Sequence, residues 1–428
     1  MTHDRQSMLI GNATLPDGRE RDVRIKGETI AAVGEDLGDP DVDATGKRLF
    51  PGAIDVHVHF RQPGFPHKET WETGSRSAAA GGVTTVVDQP NTDPPTVSGE
   101  AFDEKAALAE ASLVDYGING GVTPDWGPDA LFDRPLFALG EVFLADSTGD
   151  MGIDADRFAD AVSRAGAADA TVTVHAEDAT LFDEAARERD DADAWSAYRT
   201  AEAEAAAVER AVEVGADADA DLHIAHTSTP EGIDAASDAG VTCEVTPHHL
   251  FLSRDDLPDL GTVGRMNPPL RSESRRGAVY ERVADGTVDV IATDHAPHTR
   301  AEKDSDIWDA PSGVPGVETM LPLLLEEARQ GRLSYERVRD LIAANPAEVF
   351  GLPEKGRIEA GRDADLVLFD PDDAREIRGD DLHSKCGWTP FEGRPGVFPE
   401  LTVVRGDVAY DARNGEAFGD ANGENVRT

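Results

Sequence analysis

Cysteine is nearly absent. The 428-residue chain holds two, Cys243 and Cys386, and no C-x-x-C pair. That excludes a disulfide framework and leaves two packing residues. Lysine is scarce as well: it stands at positions 26, 47, 68, 105, 303, 355 and 385, and nowhere between 106 and 302. No apolar run is long enough to read as a membrane span. The opening MTHDRQSMLIGNATL has neither an apolar signal core nor a small-residue cleavage site, which points to a cytoplasmic protein. Positive charge is in deficit, with 40 Lys and Arg against 84 Asp and Glu and a net charge of −44. That balance argues against a nucleic-acid partner. The acidic residues are spread along the chain, as in DDADAWSAYRTAEAEAAAVERAVEVGADADADL, and are not gathered in a tail. A halophilic surface accounts for them, because salt screens the self-repulsion that such a charge creates in dilute buffer.

What is present is alternation. Eight strand-like segments, AIDVHVHF, TTVVDQPN, VDYGING, FALGEVFL, TVTVHAED, DLHIAHTS, VTCEVTPHH and VDVIATDHAPH, run through the middle of the chain. Ala-rich amphipathic stretches such as SGEAFDEKAALAEAS and MGIDADRFADAVSRAGA separate several of them. Eight such units predict an α/β chain built on a (β/α)8 TIM barrel over residues 51–350, with chemistry where strands end and loops begin. Residues 1–50 and 351–428 read as short strands and turns, predicting a small β-sandwich formed from both chain ends.

The strand ends carry the chemistry. In DVHVHFRQPG, His57 and His59 alternate on one strand, so both rings face the same side and can share one metal ion. His175 ends TVTVHAED, His226 ends DLHIAHTS, and Asp294 ends DVIATDHAPH. His223, three residues before His226, faces the other side and is the weaker candidate. Four histidines and an aspartate at one rim suit a hydrolytic centre of one or two metals, with Asp294 as base toward a metal-activated water. Imidazole and carboxylate ligands suit Zn²⁺ and admit Mn²⁺ or Co²⁺. One residue looks misplaced. Glu141, in GEVFLADSTG, puts a carboxylate inside an apolar strand, where an unpaired charge would cost several kcal/mol.

The motifs DVHVHFRQPG, DQPNTDPP, VTCEVTPHHL, RMNPPLR, TDHAPH and SGVPGVET, taken together, resemble the dihydroorotases of the cyclic amidohydrolase family over essentially the whole chain. With the acidic surface, this points to a halophilic archaeal source. The resemblance implies reversible cyclisation of N-carbamoyl-L-aspartate to (S)-dihydroorotate in pyrimidine biosynthesis. It implies one metal on His57, His59 and Asp294, a second on His175 and His226, and Asp294 as general acid/base. Arg61 supplies a planar, permanently charged fork for a substrate carboxylate. Asn91, Asn267 and His298 can bond the carboxylate and ureide edges, with backbone groups of Ser312 and Gly313 beside the ring. A homodimer is implied by the resemblance alone.

Family members often bridge the two metals with a carboxylated lysine, and Glu141 aligns at that position. Three readings stay open: Glu141 bridges, which is preferred; Asp146 bridges; or one metal alone binds tightly. His248 and His249 read as supporting residues, and His67 and Lys68 as solvated ones. Allantoinases and hydantoinases share the barrel and cyclic ureide substrates, but an allantoinase has no carboxylate for Arg61 to meet. A non-catalytic scaffold of the same fold would be expected to have lost metal ligands, and these are all present.

Overall fold

The computed structural model describes residues 7–144, 151–218 and 220–428. Eight strands close into a parallel barrel: Ala53–Val58, Val83–Asp88, Asp115–Ile118, Leu139–Leu144, Val172–Ala176, Leu222–Ile224, Thr242–Val245 and Val290–Ile291. Two seams complete the ring outside the regular ladders. Gly140 N–H donates to Gly120 O at 2.7 Å, and His59 N–H donates to His295 O at 2.8 Å. The second strand, VTTVVD, is buried along its whole length, as a parallel strand covered on both faces must be.

The helices begin where the sequence offers caps. Ser98 accepts from Ala101 N–H at the start of Gly99–Ala109. Asp154 does the same for Ala155–Ala167, and Thr70 opens Trp71–Ala80 in a capping box. Each cap satisfies a backbone donor that the first turn leaves unpaired. These helices follow barrel strands and shield them from solvent.

Both chain ends join in one nine-stranded sheet. Arg48–Pro51, which leads into the barrel, pairs antiparallel with Leu366–Phe369, setting Phe50 opposite Val367. Met8–Thr14, Glu20–Lys26 and Thr29–Gly34 extend one side; Leu401–Val404, Asp407–Asp411 and Ala417–Phe418 extend the other. Ile10, Val23, Ile25, Leu49, Leu366 and Val403 give this sheet an apolar core of its own. Lys355 ties it to the barrel: Nζ lies 2.7 Å from Asp115, at the start of the third strand, and 2.6 Å from Asp365. Both cysteines are buried and unpaired.

Among the described residues no helix is long and apolar enough to cross a membrane, and Leu181 and Val408 are the large hydrophobics left exposed. The surface therefore offers charge, and with 84 acidic against 40 basic residues that charge is mostly negative. Raising KCl from about 0.1 M to about 1 M shortens the screening length from roughly 10 Å to roughly 3 Å. The unfolding temperature, followed by circular dichroism, is expected to rise by several degrees across that range. A flat or falling midpoint would contradict the reading of the surface.

Candidate metal centre

The site lies at the C-terminal rim of the barrel. The fourth strand positions Glu141 through Gly140. At φ +151° Gly140 sits so close to the fifth strand that a Cβ would lie 1.9 Å from Thr173 Oγ1. That backbone angle and that approach both require glycine. The buried Glu141 carboxylate that follows meets three histidines from three other strands. Its Oε1 lies 2.6 Å from His226 Nε2 and 2.9 Å from His175 Nδ1, and its Oε2 lies 3.5 Å from His57 Nε2. Two groups of possible ligands result, each with its atoms within 4.8 Å of one another: His57, His59 and Glu141, and Glu141, His175 and His226. Glu141 is common to both. Asp294 Oδ1 stands 2.9 Å from His59 Nε2 and 3.7 Å from His57 Nε2. Asp146 lies outside the described residues.

The far nitrogen of three of these rings is fixed. His57 Nδ1 is 2.6 Å from Glu244 Oε1, whose other oxygen lies 3.2 Å from His223 Nε2. His59 Nδ1 is 2.6 Å from Asn91 Oδ1. His175 Nε2 is 3.0 Å from Glu177 Oε2, and Glu177 is ion-paired with Arg199. A carboxylate or amide behind an imidazole sets its tautomer and raises its basicity as a ligand. His57 Nε2, buried and aimed at Glu141 and Asp294, has no hydrogen-bond partner among the described residues. A ring nitrogen in that position, between two carboxylates, fits a divalent cation.

Electrostatics agree with the donor set. Burial disfavours ionised Glu141, but the charges of His57 and His226 and hydrogen bonds from His175 and His226 outweigh it and hold its pKa well below the usual range. Burial likewise opposes a charge on His175, yet its bonds to Glu141 and Glu177 push its pKa up to about 9. His57 is raised well above the ordinary value by Glu244 and Glu141, against its burial. The same carboxylates that draw protons to these rings would draw a metal ion.

One cavity gathers His59, Arg61, Asn91, Glu141, His175, His226, Asn267, Asp294, Ser312 and Gly313. His57 sits beneath it, and His298 beside it, 3.2 Å from the Arg61 guanidinium. Arg61 (φ +64°), His226 (φ +31°) and Asp294 (φ +46°) all hold left-handed backbone, a conformation costing a non-glycine residue about 1–3 kcal/mol and concentrated at functional sites. Asn267 Oδ1 accepts from Trp195 Nε1 at 3.0 Å. The backbone groups read as open to a ligand are partly committed: Ser312 O accepts from His298 at 2.9 Å, and Gly313 N–H donates to Arg265 O at 3.0 Å.

His223 lies outside both ligand groups and supports Glu244. His249 holds Thr246 Oγ1 and Pro268 O, each at 2.9 Å, bracing the loop that carries Asn267. His67 is exposed, but Lys68 is not simply solvated. Its ammonium reaches His298 Nδ1 and Glu302 Oε1, each at 3.1 Å. Glu177, Arg199 and Glu244 were missed in the sequence. Two-residue alternation carried the signal, since Glu177 follows His175 by two and shares its face.

Residues 48–414 match the amidohydrolase family. The chain is 71% identical to the dihydroorotase of Halobacterium salinarum, covering 98% of this chain and 99% of that one. It is 34% identical to the allantoinase of Salmonella newport, covering 95% and 96%. Among solved structures it resembles the L-hydantoinase (dihydropyrimidinase) of Arthrobacter aurescens, with a TM-score of 0.91, 30% identity, and 97% and 98% coverage. The support behind the ligands is open to test. Glu244→Gln is expected to weaken zinc affinity about 10–100-fold in chelator competition, and unchanged affinity would show that His57 needs no carboxylate behind it.

Proposed function

The chain belongs to the amidohydrolase family, and we propose that it interconverts N-carbamoyl-L-aspartate and (S)-dihydroorotate, as a dihydroorotase of pyrimidine biosynthesis. The observation that carries this reading is Arg61. A buried guanidinium lines the cavity beside the histidine-carboxylate cluster. Burial lowers its pKa to about 10, partly offset by Asp294 and Asp88, so it stays charged at neutral pH. A buried cation that faces a ligand cavity calls for an anionic ligand group, and dihydroorotate carries a ring carboxylate. Asn91 gives its amide oxygen to His59, which leaves its NH₂ to donate to the same carboxylate.

Zinc fits the donor set best. One ion would be held by His57, His59, Asp294 and Glu141, and a second by Glu141, His175 and His226. Such ions polarise a bound carbonyl and lower the pKa of a nearby water. Asp294 is the base. Burial raises its pKa, but the hydrogen bond from His59 and the charge of His57 bring it below the ordinary value, so it is ionised at neutral pH. It takes the proton of the water that attacks the ring amide carbon, and returns it to the nitrogen as the C–N bond breaks. In the synthetic direction the ureide nitrogen attacks the carbon of the protonated carboxyl group and gives its proton to Asp294, which returns it to the departing hydroxyl so that water leaves. His298 and Asn267 flank the carboxylate and ureide.

Turnover of dihydroorotate, allantoin and hydantoin by the metal-loaded protein tests the assignment. Dihydroorotate is expected to be opened and allantoin left intact. Arg61→Met is expected to raise KM for dihydroorotate by about tenfold or more, the loss of a charge-assisted pair. Allantoin opening without dihydroorotate turnover, or an unchanged KM in Arg61→Met, would overturn the reading.

A further inference from the structure

Lys68 has no assigned part in this site, yet it is one of seven lysines in the chain and its position is built with care. It leaves the loop after the first barrel strand and crosses to the loop after the eighth. There its ammonium lies 3.1 Å from His298 Nδ1 and 3.1 Å from Glu302 Oε1. Glu302 is held in turn: its other oxygen accepts from Thr299 N–H and Oγ1, each at 2.9 Å. His298 is held from behind, since Trp388 Nε1 donates to its carbonyl at 2.7 Å. The ammonium's polar contacts are thus to His298 and Glu302, which places it one side chain back from the Arg61 guanidinium.

We propose that Lys68 is a positioning residue for substrate-carboxylate recognition, fixing His298 as a neutral ring with its proton on Nε2, beside the Arg61 guanidinium. The inference rests on the dihydroorotase reading of the site. An ammonium has donors and no acceptor, so the His298 Nδ1 that faces it must be unprotonated. The ring proton is then on Nε2, where it meets Ser312 O at 2.9 Å. The Arg61 guanidinium, 3.2 Å from Nε2, is also donor-only, so it flanks this N–H without accepting from it; a carboxylate docked on Arg61 would share the N–H with Ser312 O. The groups facing the ring keep it neutral: apart from Glu302 behind Lys68, the charged side chains around it are Arg61, Lys68 and Lys303, and burial acts in the same direction. The pocket therefore offers a permanent fork and an oriented neutral donor, and no second proton has to be lost or gained when the anion binds.

Steady-state kinetics on the metal-loaded enzyme test this. Lys68→Met is expected to raise KM for dihydroorotate about tenfold with kcat within about twofold, the size of one charge-assisted hydrogen bond. Lys68→Arg restores most of the affinity. In a His298→Ala background, Lys68→Met adds nothing further. An unchanged KM, a loss confined to kcat, or additive effects in the double variant would overturn the role of Lys68. A parent enzyme that fails to turn over dihydroorotate would instead overturn the function itself.

Discussion

The site depends on one buried carboxylate. Glu141 sits among His57, His175 and His226, with His59 and Asp294 one contact further on. Without cationic partners its charge could not persist in an apolar strand, and breaking a buried pair of this kind costs about 3–5 kcal/mol. Its presence therefore obliges three other strands to bring their rings to the same point. The placement of the ring nitrogens answers that requirement, and Gly140 lets the strand that carries the carboxylate pack against Thr173.

The cluster is held by a surround as ordered as itself. Glu244 fixes His57, Asn91 fixes His59, and Glu177 with Arg199 fixes His175. Glu244, Asn91 and Glu177 lie on a strand end or the loop just after one, and Arg199 caps the helix Ala194–Tyr198. The substrate side is held in the same way, by a network in which Lys68, Glu302 and Trp388 set His298 beside Arg61. The catalytic rim is thus a set of short rigid contacts between loops, and the nine-stranded sheet at the chain ends reaches the barrel through Lys355.

Much of this was legible in the sequence because barrel chemistry is local. A histidine at the end of a buried strand can be read from alternation alone, and so can its companion two residues away. Eight apolar segments separated by capped helices specify the barrel. Closure of both chain ends into one sheet was legible only as texture, since the pairing of Phe50 with Val367 spans the whole chain. The supporting partners were harder. Glu244 stands in a short strand just before a helix whose paired histidines, His248 and His249, are the more conspicuous feature. Lys68 looked solvated because its partner, His298, is 230 residues distant. Long-range side-chain pairing leaves no periodic trace, and only the fold reveals it.

The central claim is that Glu141 joins two metal ions. The direct measurement is the metal content of Glu141→Ala beside the parent, both loaded with zinc in high salt and analysed by mass spectrometry after desalting. Two ions per chain in the parent and no more than one in the variant are expected. Equal metal content in the two proteins would contradict the account.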